Sequence, residues 1–128
     1  MTRGIADTSY FIARESGRPL ASEDLPDELA VSVVTVGELR AGLLAADDLA
    51  SRIRRLDTYA HALRSTPVPI DQAVAESWAV LQLLLRDAGK RMPVNDSWIA
   101  ATALSLGVPV VTQDDDYVEL PELSVIRI

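Results

Sequence analysis

"NDSWIAATALSLGVPVVTQDDDY", residues 95–117, is the stretch on which the reading of the fold turns. Its first half reads as a helix, and Gly107 stands where a left-handed residue closes one. "VPVVT", residues 108–112, then changes character, being a short apolar run rich in β-branched side chains, as buried strands are. The run stops at Asp114, Asp115 and Asp116. A helix that leads into a buried strand ending on acid is one unit of a parallel α/β sheet, with polar chemistry at the carboxyl edge. Three successive carboxylates repel one another, so the triplet is either a solvated turn or part of a cation site.

The same unit recurs upstream. Residues 3–6 (RGIA) read as a short buried strand, and Asp7, Thr8 and Ser9 offer N-cap chemistry for a helix through Tyr10, Phe11 and Ile12 that Gly17 and Pro19 end. "AVSVV" at 30–34 reads as a second strand, and Thr35 and Glu38 have the T-x-x-E spacing of a capping box for the next helix. Leu49, Ile53, Leu56, Ala60 and Leu63 advance by four, three, four and three, which predicts an amphipathic helix with these residues inward and Arg52, Arg54 and Arg55 outward. "TPVPI" at 66–70 is a third strand candidate. Asp71 caps a helix with Val74, Trp78, Leu81 and Leu85 inward, and another helix starts at Asn95-Asp96. "SVIRI" at 124–128 is a fifth strand. The alternation predicts an α/β fold, one domain over residues 1–128, with a mainly parallel central sheet flanked by helices on both faces.

Composition narrows the function. With 128 residues, 48% of them hydrophobic, the chain can build a core unaided, and without cysteine it has no disulfide and no thiolate metal site. No signal-peptide core is visible in "MTRGIADTSY", and the uncharged run 97–113 is broken by Gly107 and Pro109, so a soluble cytoplasmic protein with no membrane span is expected. The net charge of −7 lacks the basic footprint of a nucleic-acid binder, yet a metal-dependent nuclease needs local carboxylate and lets its cations meet the phosphate. His61, the only histidine, stands among alanines in mid-helix and reads as a surface residue, which leaves no Ser-His or Cys-His nucleophile. A D-x-D phosphatase is excluded by Asp7-Thr8-Ser9, and a receiver domain by the placement of Lys90, the only lysine.

Ligands of parallel sheets lie beyond the carboxyl ends of the strands. Asp7, Glu38 and the pair Asp114 and Asp116 follow the first, second and fourth strands, and Asp96 opens the last long helix, so all are expected on one edge. Each also has a bland local role, as cap, capping box or turn, and it is their convergence that favours oxygen ligation of Mg²⁺ or Mn²⁺. Asp47, Asp48, Asp57, Asp71 and the acids of 23–28 read as caps and surface charge. Thr8, Ser9 and Thr112 are candidates to hold the carboxylates in place.

"IADTSYFIA", "SVVTVGELRAGL" and the 95–117 segment, taken with the chain length, resemble the PIN-domain family, specifically its small VapC-type toxin ribonucleases. The resemblance implies a PIN fold and Mg²⁺- or Mn²⁺-dependent endoribonuclease activity. It implies acidic site residues at Asp7, Glu38, Asp96 and the Asp114/Asp116 pair, with the metal on Asp7, Asp96 and Asp114, and Glu38 orienting water or a second ion. Asp115 falls at a variable place and takes no role; Tyr117 is expected to pack back and fix the turn. Ser97 and Trp98 depart from the family's small or apolar residues, which bears on substrate fit. The resemblance also implies a homodimer and a VapB-type antitoxin, whose C-terminal segment would lie across the acidic groove and set an arginine against the carboxylates. The alternative is a catalytically silent PIN-like module that binds a basic protein through that groove. Arg14, Arg18, Arg86, Lys90 and Arg91 are candidates to line an RNA groove, whereas Trp98 and Tyr10 are expected to pack.

Overall fold

A computed structural model describes residues 1–128. In chain order the elements are β1 (Arg3–Ala6), α1 (Thr8–Glu15), a 3₁₀ turn (Ser22–Asp24), β2 (Glu28–Ser32), α2 (Val33–Leu44), α3 (Leu49–Leu63), β3 (Pro67–Val68), α4 (Gln72–Asp87), α5 (Val94–Leu106), β4 (Val110–Thr112) and β5 (Val125–Arg127). The five strands are all parallel, in the order β3-β2-β1-β4-β5. The order reverses between β1 and β4, so the crevice of such a sheet opens between the ends of those two strands.

Alternation along β1 splits the core in two. Ile5 points to one face, where it joins Val110, Ile99, Val74, Leu81 and Leu85 beneath α4 and α5. Ala6 points to the other, with Val31 of β2 and Tyr10, Phe11, Leu39 and Ala62 from α1, α2 and α3. Ala100, Ala101 and Ala103 are fully buried, and these small side chains let α5 lie close to the sheet. Trp78 of α4 stacks on Trp98 of α5 with ring centres 4.6 Å apart, and its Nε1 donates to Ser97 Oγ at 3.0 Å. Ser97 and Trp98 therefore join two helices. Gly107 closes α5 with a φ of 66°, the left-handed conformation glycine adopts without strain.

Three local expectations are corrected. The second strand ends at Ser32, whose side chain accepts from Val34 N at 3.1 Å, so α2 starts at Val33 and the capping box at Thr35 and Glu38 does not form. The third strand shrinks to Pro67–Val68, because Pro67 and Pro69 leave little backbone to pair at this edge. Helix α3 occupies the expected residues but in the opposite phase. Leu49, Ile53, Leu56 and Leu63 are exposed, and it is Arg55, Tyr59 and Ala62 that turn toward α1 and α2. Arg55, expected outward, is half-buried and donates to Gly42 O near the C-terminal end of α2 at 2.6 Å. No helix is long and apolar enough to cross a membrane.

Candidate functional site

Asp7 follows the last residue of β1 and lies at the switch between β1 and β4, with only 1% of its surface exposed. An isolated buried carboxylate is costly, so its partners matter. Ser9 Oγ donates to Asp7 Oδ1 at 2.6 Å and Thr112 Oγ1 to Asp7 Oδ2 at 3.0 Å, while Tyr10 N reaches Oδ1 at 3.4 Å. The two hydroxyls are themselves fixed, since Gln113 N donates to Ser9 Oγ and Asp114 N to Thr112 Oγ1. Ser9 and Thr112 thus hold the carboxylate as expected, and they also pin the turn that carries Asp114.

The other acids converge on this point from separate segments. Burial raises the Asp96 pKa to about 6, and the charges of Asp7, Asp116, Asp114 and Glu38 add to the effect. Burial likewise lifts Asp7 to about 6, against the lowering effect of its Ser9 and Thr112 bonds. Asp114 is raised by burial and by Asp116, with Arg18 pulling the other way. Asp96 thus lies within electrostatic reach of all four other predicted acids at one edge of the sheet. Asp116 is exposed and acts on Asp96 and Asp114 through its charge, whereas Asp115 points to solvent and pairs with Arg127 at 3.4 Å.

Two bland roles are removed by the geometry. Asp96 is not a cap, because α5 begins at Val94 behind Pro93 and Asp96 sits within its first turn, making no capping bond. Glu38 is not in a capping box, because it lies in the middle of α2. Its Oε1 accepts from Thr8 Oγ1 at 2.6 Å and its Oε2 from Asn95 Nδ2 at 3.3 Å, so it ties α1 and α5 to α2. Asn95 and the fully buried Thr35, 3.0 Å from the Thr8 hydroxyl, were not singled out as site residues. Asn95 had one available signal, its place beside Asp96 in the first turn of α5. Tyr117 is buried as expected, and its hydroxyl donates to Asp96 Oδ1 at 3.4 Å. Burial and the nearby carboxylates push its pKa upward, which keeps that proton in place.

The donor set suits a hard cation, being oxygen throughout with no histidine or thiol. No three of the His, Asp and Glu side chains close around one point as a ready-made cage. The mutual charging of Asp7, Asp96 and Asp114 is the repulsion such a cation relieves.

The PIN domain family matches residues 5–123 of the chain. Ribonuclease VapC4 of Mycobacterium tuberculosis is 49% identical over 126 residues, which are 98% of this chain and 97% of that protein. Ribonuclease VapC5 of the same organism is 46% identical over 117 residues, 91% of this chain and 87% of the relative. Among solved structures, that of VapBC-5, a member of the VapBC family of toxin-antitoxin systems from Mycobacterium tuberculosis, matches with a TM-score of 0.89 and 39% identity, covering 100% of both chains.

Proposed function

Because the chain belongs to the PIN-domain family, among its VapC-type ribonucleases, we propose that it is a metal-dependent endoribonuclease that hydrolyses RNA phosphodiester bonds as the toxin of a VapBC-type toxin–antitoxin pair. The observation that carries the reading is Asp7, buried at the sheet's switch point and within electrostatic reach of Asp114 and Asp96, the latter also feeling Asp116 and Glu38. A bound Mg²⁺ or Mn²⁺ supplies positive charge to the phosphate and makes water more acidic.

The chain's own residues do the positioning. Asp7, Asp96 and Asp114 hold the cation, and Ser9 and Thr112 keep Asp7 aimed at the crevice. Glu38, fixed by Thr8 and Asn95, orients water or a second ion. Asp7 and Asp96 must lose their protons to serve as ligands, so affinity for the cation rises with pH through about 6.

The partner reading is a homodimer that carries a VapB-type antitoxin. Leu49, Ile53, Leu56 and Leu63 leave an apolar stripe open along α3, of the kind that takes up an amphipathic helix, and the acid cluster offers a seat for an arginine. Purified protein is expected to cut RNA with Mg²⁺ or Mn²⁺ and to stop on addition of EDTA. Cutting that persists in EDTA after repurification removes the metal from the mechanism. The neighbouring gene is expected to encode a small inhibitor, whose effect weakens when an arginine in its C-terminal segment is replaced.

A further inference from the structure

Away from the carboxylates, the chain carries a cluster of cationic groups that its own acids do not neutralise. Arg14, in the last turn of α1, donates to Nε2 of His61 on α3. The imidazole packs edge-on against Phe11 with ring centres 5.9 Å apart, and the Arg14 guanidinium lies 5.8 Å from the centre of the Tyr10 ring. These two groups open onto a cleft of about 260 Å³ between α1 and α3, which Phe11, Asp57, Thr58 and Arg64 complete. The ion pairs of the chain are Arg3–Glu28, Arg86–Asp87 and Arg127–Asp115, so neither Arg14 nor Arg64 has a carboxylate within pairing distance. Arg14 and Arg64 meet at this one cleft, and the single acid in its lining, Asp57, pairs with neither.

The charged groups facing His61 are Arg14 and Tyr10 from α1, and Asp57 and Arg64 from its own helix, with Asp27 lining the adjoining cleft. Burial, Arg14 and Arg64 lower the His61 pKa, which leaves a neutral ring to accept the Arg14 bond. An oxyanion between the arginines would relieve that crowding and make the ring easier to protonate. Arg18, four residues beyond Arg14, links this cleft to the acid cluster through sequence order only, and it is Arg18 that reaches the turn carrying Asp114. Arg18 donates to Gln113 Oε1 at 3.3 Å and lies near enough to Asp114 to lower its pKa, and Arg14 stands about 9 Å along α1 from Thr8 by helical rise.

We propose that the α1–α3 cleft formed by Arg14, His61 and Arg64 is a phosphate subsite, which holds a backbone phosphate of the RNA strand flanking the bond that is cut. The proposal rests on the ribonuclease reading for its substrate and on the cleft for its location. Arg14 and Arg64 supply the charge and the fork of donors that a phosphate takes, and Phe11 gives the site an apolar floor.

His61 is the only histidine, so its imidazole gives a single, unambiguous NMR signal. The protein is held in EDTA at low salt and titrated first with inorganic phosphate and then with a short single-stranded RNA. Both should move the His61 resonances and raise its pKa, the RNA at a far lower concentration. In Arg14→Gln/Arg64→Gln the response should vanish, and the slope of log affinity for RNA against log salt should fall in magnitude by about 0.7, the loss of one single-strand phosphate contact. Arg64→Gln alone, at an exposed side chain, should give half that change and serves if the double variant fails to fold.

A His61 signal that ignores both ligands, or a salt slope unchanged in a folded variant, overturns the proposal. A response to phosphate without one to RNA places the anion site outside the RNA path and overturns it equally. A response to the antitoxin alone assigns the cleft to a protein partner instead. The nuclease reading fails separately: RNA bound here but never cut with Mg²⁺ removes the activity and leaves the subsite.

Discussion

At the start of α4, Asp71 accepts the Val74 N–H at 2.9 Å and faces solvent; at the start of α1, Asp7 accepts the Tyr10 N–H at 3.4 Å and is almost wholly buried. Both are aspartate N-caps, and neither the residue type nor the capping spacing tells them apart. The surroundings do. Asp71 makes a good cap where ionisation is cheap, so the cap accounts for it. Asp7 makes a longer capping bond, shorter bonds to two hydroxyls, and is placed where burial disfavours its charge. A helix cap does not require that expense, and a cation site does.

The contrast breaks most directly on activity. Asp7→Asn, Asp96→Asn and Asp114→Asn should each lower RNA cleavage by at least ~100-fold, beyond what loss of a supporting residue costs, while Asp71→Asn should leave it unchanged. Single-turnover cleavage of one RNA by the four variants decides it. Equal rates for Asp7→Asn and wild type would reduce Asp7 to a cap.

A smaller effect lies in the pH dependence of stability without divalent cations. The Asp7 pKa is raised from 3.8 to about 6 in the folded state, so the folded protein binds this proton more tightly than the unfolded chain. Its contribution is therefore fully present in acid, is lost as pH rises through about 6, and at neutral pH is replaced by the strain of a buried charge. Relative to wild type, Asp7→Asn should gain ~2–3 kcal/mol between about pH 4 and pH 8, as urea unfolding will show. Added Mg²⁺ should raise the wild-type melting temperature and have less effect on Asp7→Asn or Asp96→Asn.

Thr112→Val sharpens the comparison further. It removes a hydroxyl that both supports Asp7 and accepts from Asp114 N, and cleavage should fall by about 10-fold or somewhat more. The smallest effect belongs to the exposed cap itself. Asp71→Asn should change stability by a few tenths of a kcal/mol and Asp71→Ala by about 1 kcal/mol, with cleavage unaffected in both.

The acids of the site were legible because a parallel sheet presents all its carboxyl ends together, and Asp7, Asp96, Asp114 and Asp116 stand just past a strand or at the start of a helix, while Glu38 lies further along α2. Asp7 and Asp114 needed only the strand boundaries, which β-branched runs mark well. The partners of Glu38 were hidden, since its bonds to Thr8 and Asn95 cross 30 and 57 residues of sequence and no local spacing announces them. Helix α3 shows a different limit. Its apolar period was plain, but period does not give phase: Ala62 and Tyr59 face the sheet side while four large aliphatic residues face out. A stripe that belongs against a partner reads, in sequence, just like one that belongs in the core. His61 likewise looked like surface because its neighbours in sequence are small, and its contacts come from α1.

In β1, Ile5 pairs with Val110 and Ala6 with Val111, contacts that span 105 residues. The central strand therefore leaves the ribosome about a hundred residues ahead of its β4 neighbour. At roughly 5–20 residues per second, the nascent chain carries Asp7 for about 5–20 s before Asp114 exists. Pairing across so long a loop is also among the slower steps of folding. The same topology that gathers the acids thus acts as a clock, and a half-made chain has no centre with which to cut the RNA around it.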